Sequence, residues 1–117
     1  MSASPSTPVT ESLFQLGLND ALPISKEATT SRVVVNNDVL RTVIFTFDAG
    51  QLLTEHASPR AVVVTLLEGE MDFSVGERTE RMSAGDVIYL APGERHALTA
   101  VTPCRMQLVM VDVDAKG

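Results

Sequence analysis

From Arg32 to Asp112 the chain alternates brief apolar runs with turn-forming clusters, a rhythm that belongs to strands and leaves no room for helix-length periodicity. The runs are Arg32 to Val35, Val39 to Phe47, Ala61 to Leu67, Met71 to Val75, Val87 to Leu90 and Met106 to Val111, all rich in β-branched or large apolar residues. Between them stand clusters such as Asn36-Asn37-Asp38, Asp48-Ala49-Gly50, Glu68-Gly69-Glu70 and Ala91-Pro92-Gly93, whose glycine and asparagine tolerate the backbone angles of tight turns. Seven or eight short strands follow. Their spacing is too close for βαβ crossovers, so the chain reads as all-β, an antiparallel sandwich or barrel.

One run carries information about assembly. In Ala61 to Leu67, alternation puts Val62, Val64 and Leu66 on one face and Ala61, Val63, Thr65 and Leu67 on the other, and both faces are apolar. A strand of a small antiparallel barrel ordinarily keeps one wet face, so the outer one is expected to be covered. A second copy of the chain in a homodimer is the leading candidate, and the chain's own N-terminal residues are the alternative.

Ahead of the strands, Met1 to Glu11 is rich in Ser, Thr and Pro and reads as a disordered tail over 1–11, with neither the basic start nor the apolar centre of a secretory signal. Leu13, Phe14, Leu16 and Leu18 follow, interrupted by Gly17 and bounded by Pro23, which suits a short strap over 12–31 better than a long helix. The barrel is then assigned to 32–113.

Composition narrows the function classes. A chain of 117 residues supports one core, burying roughly two-thirds of the surface exposed when unfolded. Nine basic against fifteen acidic residues give a net charge of −6, a field that repels phosphate backbones and anionic lipid, so neither nucleic acid nor a membrane is an expected partner. No run approaches the roughly 20 apolar residues of a membrane span. The single cysteine, Cys104, fits a reducing cytoplasm and reads as a packing residue.

Chemistry concentrates on two residues. No Walker-type phosphate loop, dinucleotide fingerprint or G-x-S-x-G elbow occurs, and the only histidines are His56 and His96. Each stands in a glycine-framed segment: Gly50-x5-His56-x-Ser58-x3-Val62-x6-Gly69, and Gly85-x5-Ala91-Pro92-Gly93-x2-His96. This framework resembles the two motifs of the cupin superfamily, G-x5-H-x-H-x3,4-E-x6-G and G-x5-P-x-G-x2-H-x3-N, over about Asn37 to Asp112.

The resemblance implies a small single-domain cupin, an antiparallel jelly-roll β-barrel that is commonly dimeric. It also implies a metal site of three histidines and a glutamate, of which His56 and His96 match the first and last. Ser58 stands in place of the second histidine and Val62 in place of the glutamate; Ala91 and Ala100 replace the second motif's proline and asparagine. Two imidazoles fall short of the three protein ligands of catalytic zinc and of the two-histidine, one-carboxylate set of non-haem iron. Glu55 is expected to point away from its neighbour His56, and Glu94 lies in a turn; Arg60 and Arg95 are candidates for meeting an anion at the barrel mouth, though solvation is the plainer reading of all four.

The reading that follows is a small-molecule-binding barrel with a pocket around His56, Ser58, Val62 and His96, and with its catalytic residues unassigned. The alternatives are a metal-dependent dioxygenase, isomerase or lyase holding a divalent transition metal on His56 and His96, and a structural or assembly module.

Overall fold

The computed structural model describes residues 6–114. Nine strands form two facing sheets, β1 (Thr29–Asn36), β2 (Leu40–Phe47), β3 (Leu52–His56), β4 (Ala61–Glu68), β5 (Glu70–Val75), β6 (Arg78–Ser83), β7 (Val87–Leu90), β8 (His96–Ala100) and β9 (Cys104–Val111). One sheet has the order β1-β2-β9-β4-β7 and the other β3-β8-β5-β6. Every pairing is antiparallel, as in the expected jelly roll.

The six apolar runs all became strands, and three further strands had escaped the pattern. β6, Arg-Thr-Glu-Arg-Met-Ser, is an edge strand that buries only Met82. β3 is a short edge strand with an irregular register, and β8 alternates His96, Leu98 and Ala100 inward with smaller or polar residues outward. Edge strands with one wet face need little apolar sequence.

The core fills the space between the sheets. Phe47, Val62, Val64, Leu66, Met71, Phe73, Leu90, Leu98 and Met106 are buried in one cluster, with Phe45, Leu108 and Met110 packed against it. Val62, Val64 and Leu66 are the inward face of β4. Its outward Val63 and Leu67 remain exposed, joined on β7 by Val87 and Tyr89.

The N-terminal strap does not cover that outward patch. It contains one turn of helix, α1 (Leu18–Ala21), and is fastened further along the same sheet, where buried Arg105 donates from Nη1 to the Leu22 carbonyl at 2.8 Å. Gln15 also donates to the Val34 carbonyl at 3.0 Å. Phe14 and Leu16 of this segment are 87% and 80% exposed. Residue Thr7, within the expected tail, is buried, and its N–H donates to the Asn36 carbonyl at 2.8 Å.

Candidate ligand site at the histidine pair

His56 and His96 are brought together directly. They are register partners across β3 and β8, with ring centroids 4.2 Å apart and planes inclined at 60°. What aligns them is a bulge. Leu53 pairs with Leu98, so an unbroken ladder would set Glu55 opposite His96; one extra residue in β3 moves His56 into that place instead. Glu55 is turned to the surface, 3.7 Å from Arg95.

Both rings are held the same way. Nδ1 of His56 lies 2.9 Å from the Thr54 carbonyl oxygen, and Nδ1 of His96 lies 3.0 Å from that of Glu94. A carbonyl oxygen only accepts, so in each neutral ring the proton sits on Nδ1 and Nε2 keeps its lone pair. Burial pushes the His96 imidazole below its ordinary pKa, the Glu94 carbonyl opposing and His56 reinforcing that shift, so His96 is neutral at neutral pH. Phe73 stacks on His96 with its ring centre 6.0 Å away and nearly parallel.

Local turns complete the support. The Gly93 N–H donates to the Ser58 carbonyl at 2.7 Å, tying the segment after His56 to the turn before His96, and the Gly76 N–H donates to the Arg95 carbonyl. The Ser58 hydroxyl accepts the Arg60 N–H at 3.1 Å. Val62 is 3% exposed, within the apolar cluster.

For a resident metal these residues offer two imidazole donors and no third side-chain ligand. Ser58 is occupied in its turn, Val62 offers no oxygen, and among the described residues no three histidine, cysteine, aspartate or glutamate side chains gather. Two imidazoles are an incomplete donor set for zinc or iron.

A cavity of about 550 Å³ opens between the edges of β6 and β7, walled by Phe73, Val75, Met82, Ile88 and Tyr89 with Arg78 at its rim. Neither histidine is in its wall, but Phe73, which stacks on His96, and Val75, the register partner of His96, join the two regions. Arg78 is paired with Glu80 at 2.9 Å. Of the other candidates, Arg95 is exposed beside Glu55, and the free thiol of Cys104 is fully buried within reach of the Glu70 and Thr102 carbonyls, where burial raises its pKa.

One inward residue went unnoticed in the sequence. Arg41 pairs with Met110, which pairs with Val62, so Arg41 shares the core face of its sheet. Its parity with Val43, Phe45 and Phe47 was the available signal.

Comparison with known proteins bears on this geometry. No curated protein matches the chain. Among solved structures, a conserved protein of unknown function from Streptococcus pyogenes is 30% identical, with 98% of each chain covered and a TM-score of 0.79. A cupin superfamily protein from Desulfitobacterium hafniense is 15% identical, covering 94% of this chain and 98% of that one at a TM-score of 0.77. KdgF from Halomonas sp. is 21% identical, with 90% and 97% covered at 0.72. The cupin domain profile matches residues 43–112, more than half the chain, and with the two glycine-framed histidine segments meeting across β3 and β8 the protein belongs to the cupin family.

Proposed function

We propose that this cupin binds a small organic molecule at the end of its barrel, in a pocket around His56, Ser58, Val62 and His96, without a resident metal. The observation that carries the reading is the histidine pair itself: two adjacent imidazoles, each with Nδ1 committed to a carbonyl, present two Nε2 lone pairs beside an apolar wall. Such a pair accepts hydrogen bonds from a ligand O–H or N–H. Phe73 and Val75 extend the apolar wall toward the neighbouring cavity, whose volume is in the range of small-molecule sites.

The same lone pairs favour a second reading, in which a divalent transition metal sits on His56 and His96 and substrate or water completes its shell for a dioxygenase, isomerase or lyase reaction. Elemental analysis of untagged protein purified without chelator separates the two. The expected result is manganese, iron, nickel, copper and zinc all far below one equivalent. Stoichiometric metal that disappears in both His56→Ala and His96→Ala would overturn the metal-free reading.

The protein is further proposed to act as a homodimer, its exposed β4–β7 face seated on a second copy. Val63 and Tyr89 are register partners on that face, with Val87 and Leu67 beside them. The N-terminal arm adds Val9, Leu13, Phe14 and Leu16, also exposed. Together the eight residues form an exposed apolar surface of the kind that a standard interface, roughly 800 Å² per partner, buries at its centre. A two-fold pairing lets the arm of each copy lie over the face of the other. Sedimentation analysis is expected to find a dimer that Tyr89→Glu weakens by about thirtyfold or more, the loss of a buried aromatic anchor. A wild-type monomer across the micromolar range would sink this proposal. A reducing, cytoplasmic setting agrees with the lone buried thiol.

A further inference from the structure

Arg41 is the group the proposed site leaves unexplained. Its Nε is buried and, among the described residues, is the one buried side-chain nitrogen or oxygen without a hydrogen-bond partner. Four other arginines, Arg78, Arg81, Arg95 and Arg105, form ion pairs, and Arg41 forms none among the described residues. A guanidinium donor withdrawn from water without an acceptor is costly, and buried polar groups of this kind are ordinarily satisfied.

Topology puts Arg41 at the histidine end of the barrel. Across its sheet one inward row reads Asn36, Arg41, Met110, Val62 and Leu90. Val62 stands at the start of β4, a few residues after His56, and Leu90 ends β7, just before the turn that leads to His96. On the facing sheet the corresponding register row is His56, His96, Val75 and Arg78, in which His96 is buried, Val75 half-buried, and His56 and Arg78 exposed at the two ends. Facing sheets stand roughly 10 Å apart, a gap that an extended arginine side chain and one small molecule together span.

We infer that Arg41 is the anion anchor of the ligand site: it takes the ligand's carboxylate, while the Nε2 atoms of His56 and His96 accept hydrogen bonds from a hydroxyl or enol elsewhere on the same molecule. The ligand class is therefore a small hydroxy acid carrying a single negative charge. The inference rests on the proposed pocket and adds the chemistry of its occupant.

The geometry of the donors supports this division. A carboxylate meets a guanidinium side-on through Nε and one Nη, and Nε is the atom left without an acceptor. An imidazole whose Nδ1 proton is donated to a carbonyl accepts at Nε2 in its neutral form, the form burial favours for His96, and this calls for a proton-bearing group on the ligand. With Arg78 of the facing row already paired to Glu80, Arg41 is, among the described residues, the unpaired guanidinium of the two rows, and in a chain of net charge −6 it suits a monoanion better than a polyanion. Met110 and Val62, lying beside Arg41 in its row, give the carbon skeleton an apolar bed.

The test uses the full-length protein and two probe acids, 3-hydroxybutyrate and 4-hydroxybenzoate, each beside its neutral primary amide. Titrations are followed by NMR at the Arg Nε–H and histidine ring signals. At least one acid is expected to bind about tenfold or more tightly than its amide and to shift one Arg Nε–H together with both imidazoles. Arg41→Gln should abolish the preference for acid over amide, and Arg41→Lys, which keeps the charge but not the fork, should restore part of it. The wild-type Nε–H signal gives a reading that does not depend on how well either variant folds. Equal binding of acid and amide at the histidines would overturn the role of Arg41 and leave the pocket standing. No perturbation of either histidine by any of the four probes would overturn both.

Discussion

Gly69→Ala is expected to cost about 3–5 kcal/mol of folding stability, a large share of the 5–15 kcal/mol that holds a domain of this size together. Gly69 turns the chain between β4 and β5 at φ +88°, a conformation L-residues rarely adopt. Strain is the smaller part of the cost. A Cβ there would collide with the Pro103 carbonyl oxygen and lie 2.9 Å from Cys104 Sγ. Neither obstacle is free to move. The Glu70 carbonyl accepts the Val101 and Thr102 N–H groups, the Thr102 hydroxyl accepts the Glu70 N–H, and Cys104 Sγ lies 3.0 Å from the Glu70 carbonyl oxygen. Relieving the clash means parting two turns that hold each other. Gly50→Ala is the control: its φ is +86°, but nothing lies within 4 Å of the added carbon, so only the backbone cost of about 1 kcal/mol is expected. Urea denaturation of the two variants isolates the collision, and equal losses would show that no collision operates.

That turn illustrates what the sequence could convey. Glu68-Gly69-Glu70 was legible as a turn because only glycine takes its backbone angles without strain, yet the second reason for glycine lies more than thirty residues away at Pro103 and Cys104. The same division holds through the fold. Runs such as Ala61 to Leu67 and Val39 to Phe47 announced their strands because both are packed centrally and need apolar residues; β6 did not, since an edge strand burying Met82 alone has a polar sequence. The two-sided apolar character of β4 was read correctly from alternation, and Val63 and Leu67 are indeed outward and exposed.

At the site, the glycine framework pointed to His56 and His96 as partners. It could not show how they meet, because register depends on a bulge between Leu53 and His56 that no residue type in β3 marks. Simple alternation from Leu53 would have turned Glu55, not His56, toward His96. Arg41 is the opposite case. Its position, two residues before Val43 in a strand whose inward residues are Val43, Phe45 and Phe47, carried the signal, but one basic residue at the head of an apolar run is easily taken for a solvated strand end.

Positions 58 and 62 yield the second large effect. Val62 is 3% exposed, flanked across the sheet by Leu90 and Met110. Val62→Glu alone buries a carboxylate among apolar neighbours and is expected to cost about 3–5 kcal/mol at neutral pH, the penalty of an uncompensated buried charge. Pairing it with Ser58→His changes the sign of the argument. Two new donors would join the Nε2 atoms of His56 and His96, giving four protein ligands where the natural chain has two, and a divalent ion would then balance the carboxylate. Binding to the folded state alone stabilises by about 4 kcal/mol at a thousandfold excess over the dissociation constant, enough to offset the substitution. Thermal unfolding with manganese, nickel or zinc is therefore expected to raise the melting temperature of the double variant strongly and that of the wild type hardly at all. A wild-type protein that gains as much from the same ion would mean that His56 and His96 already hold it without Ser58 or Val62 standing in the way, and the metal-free site would have to be given up.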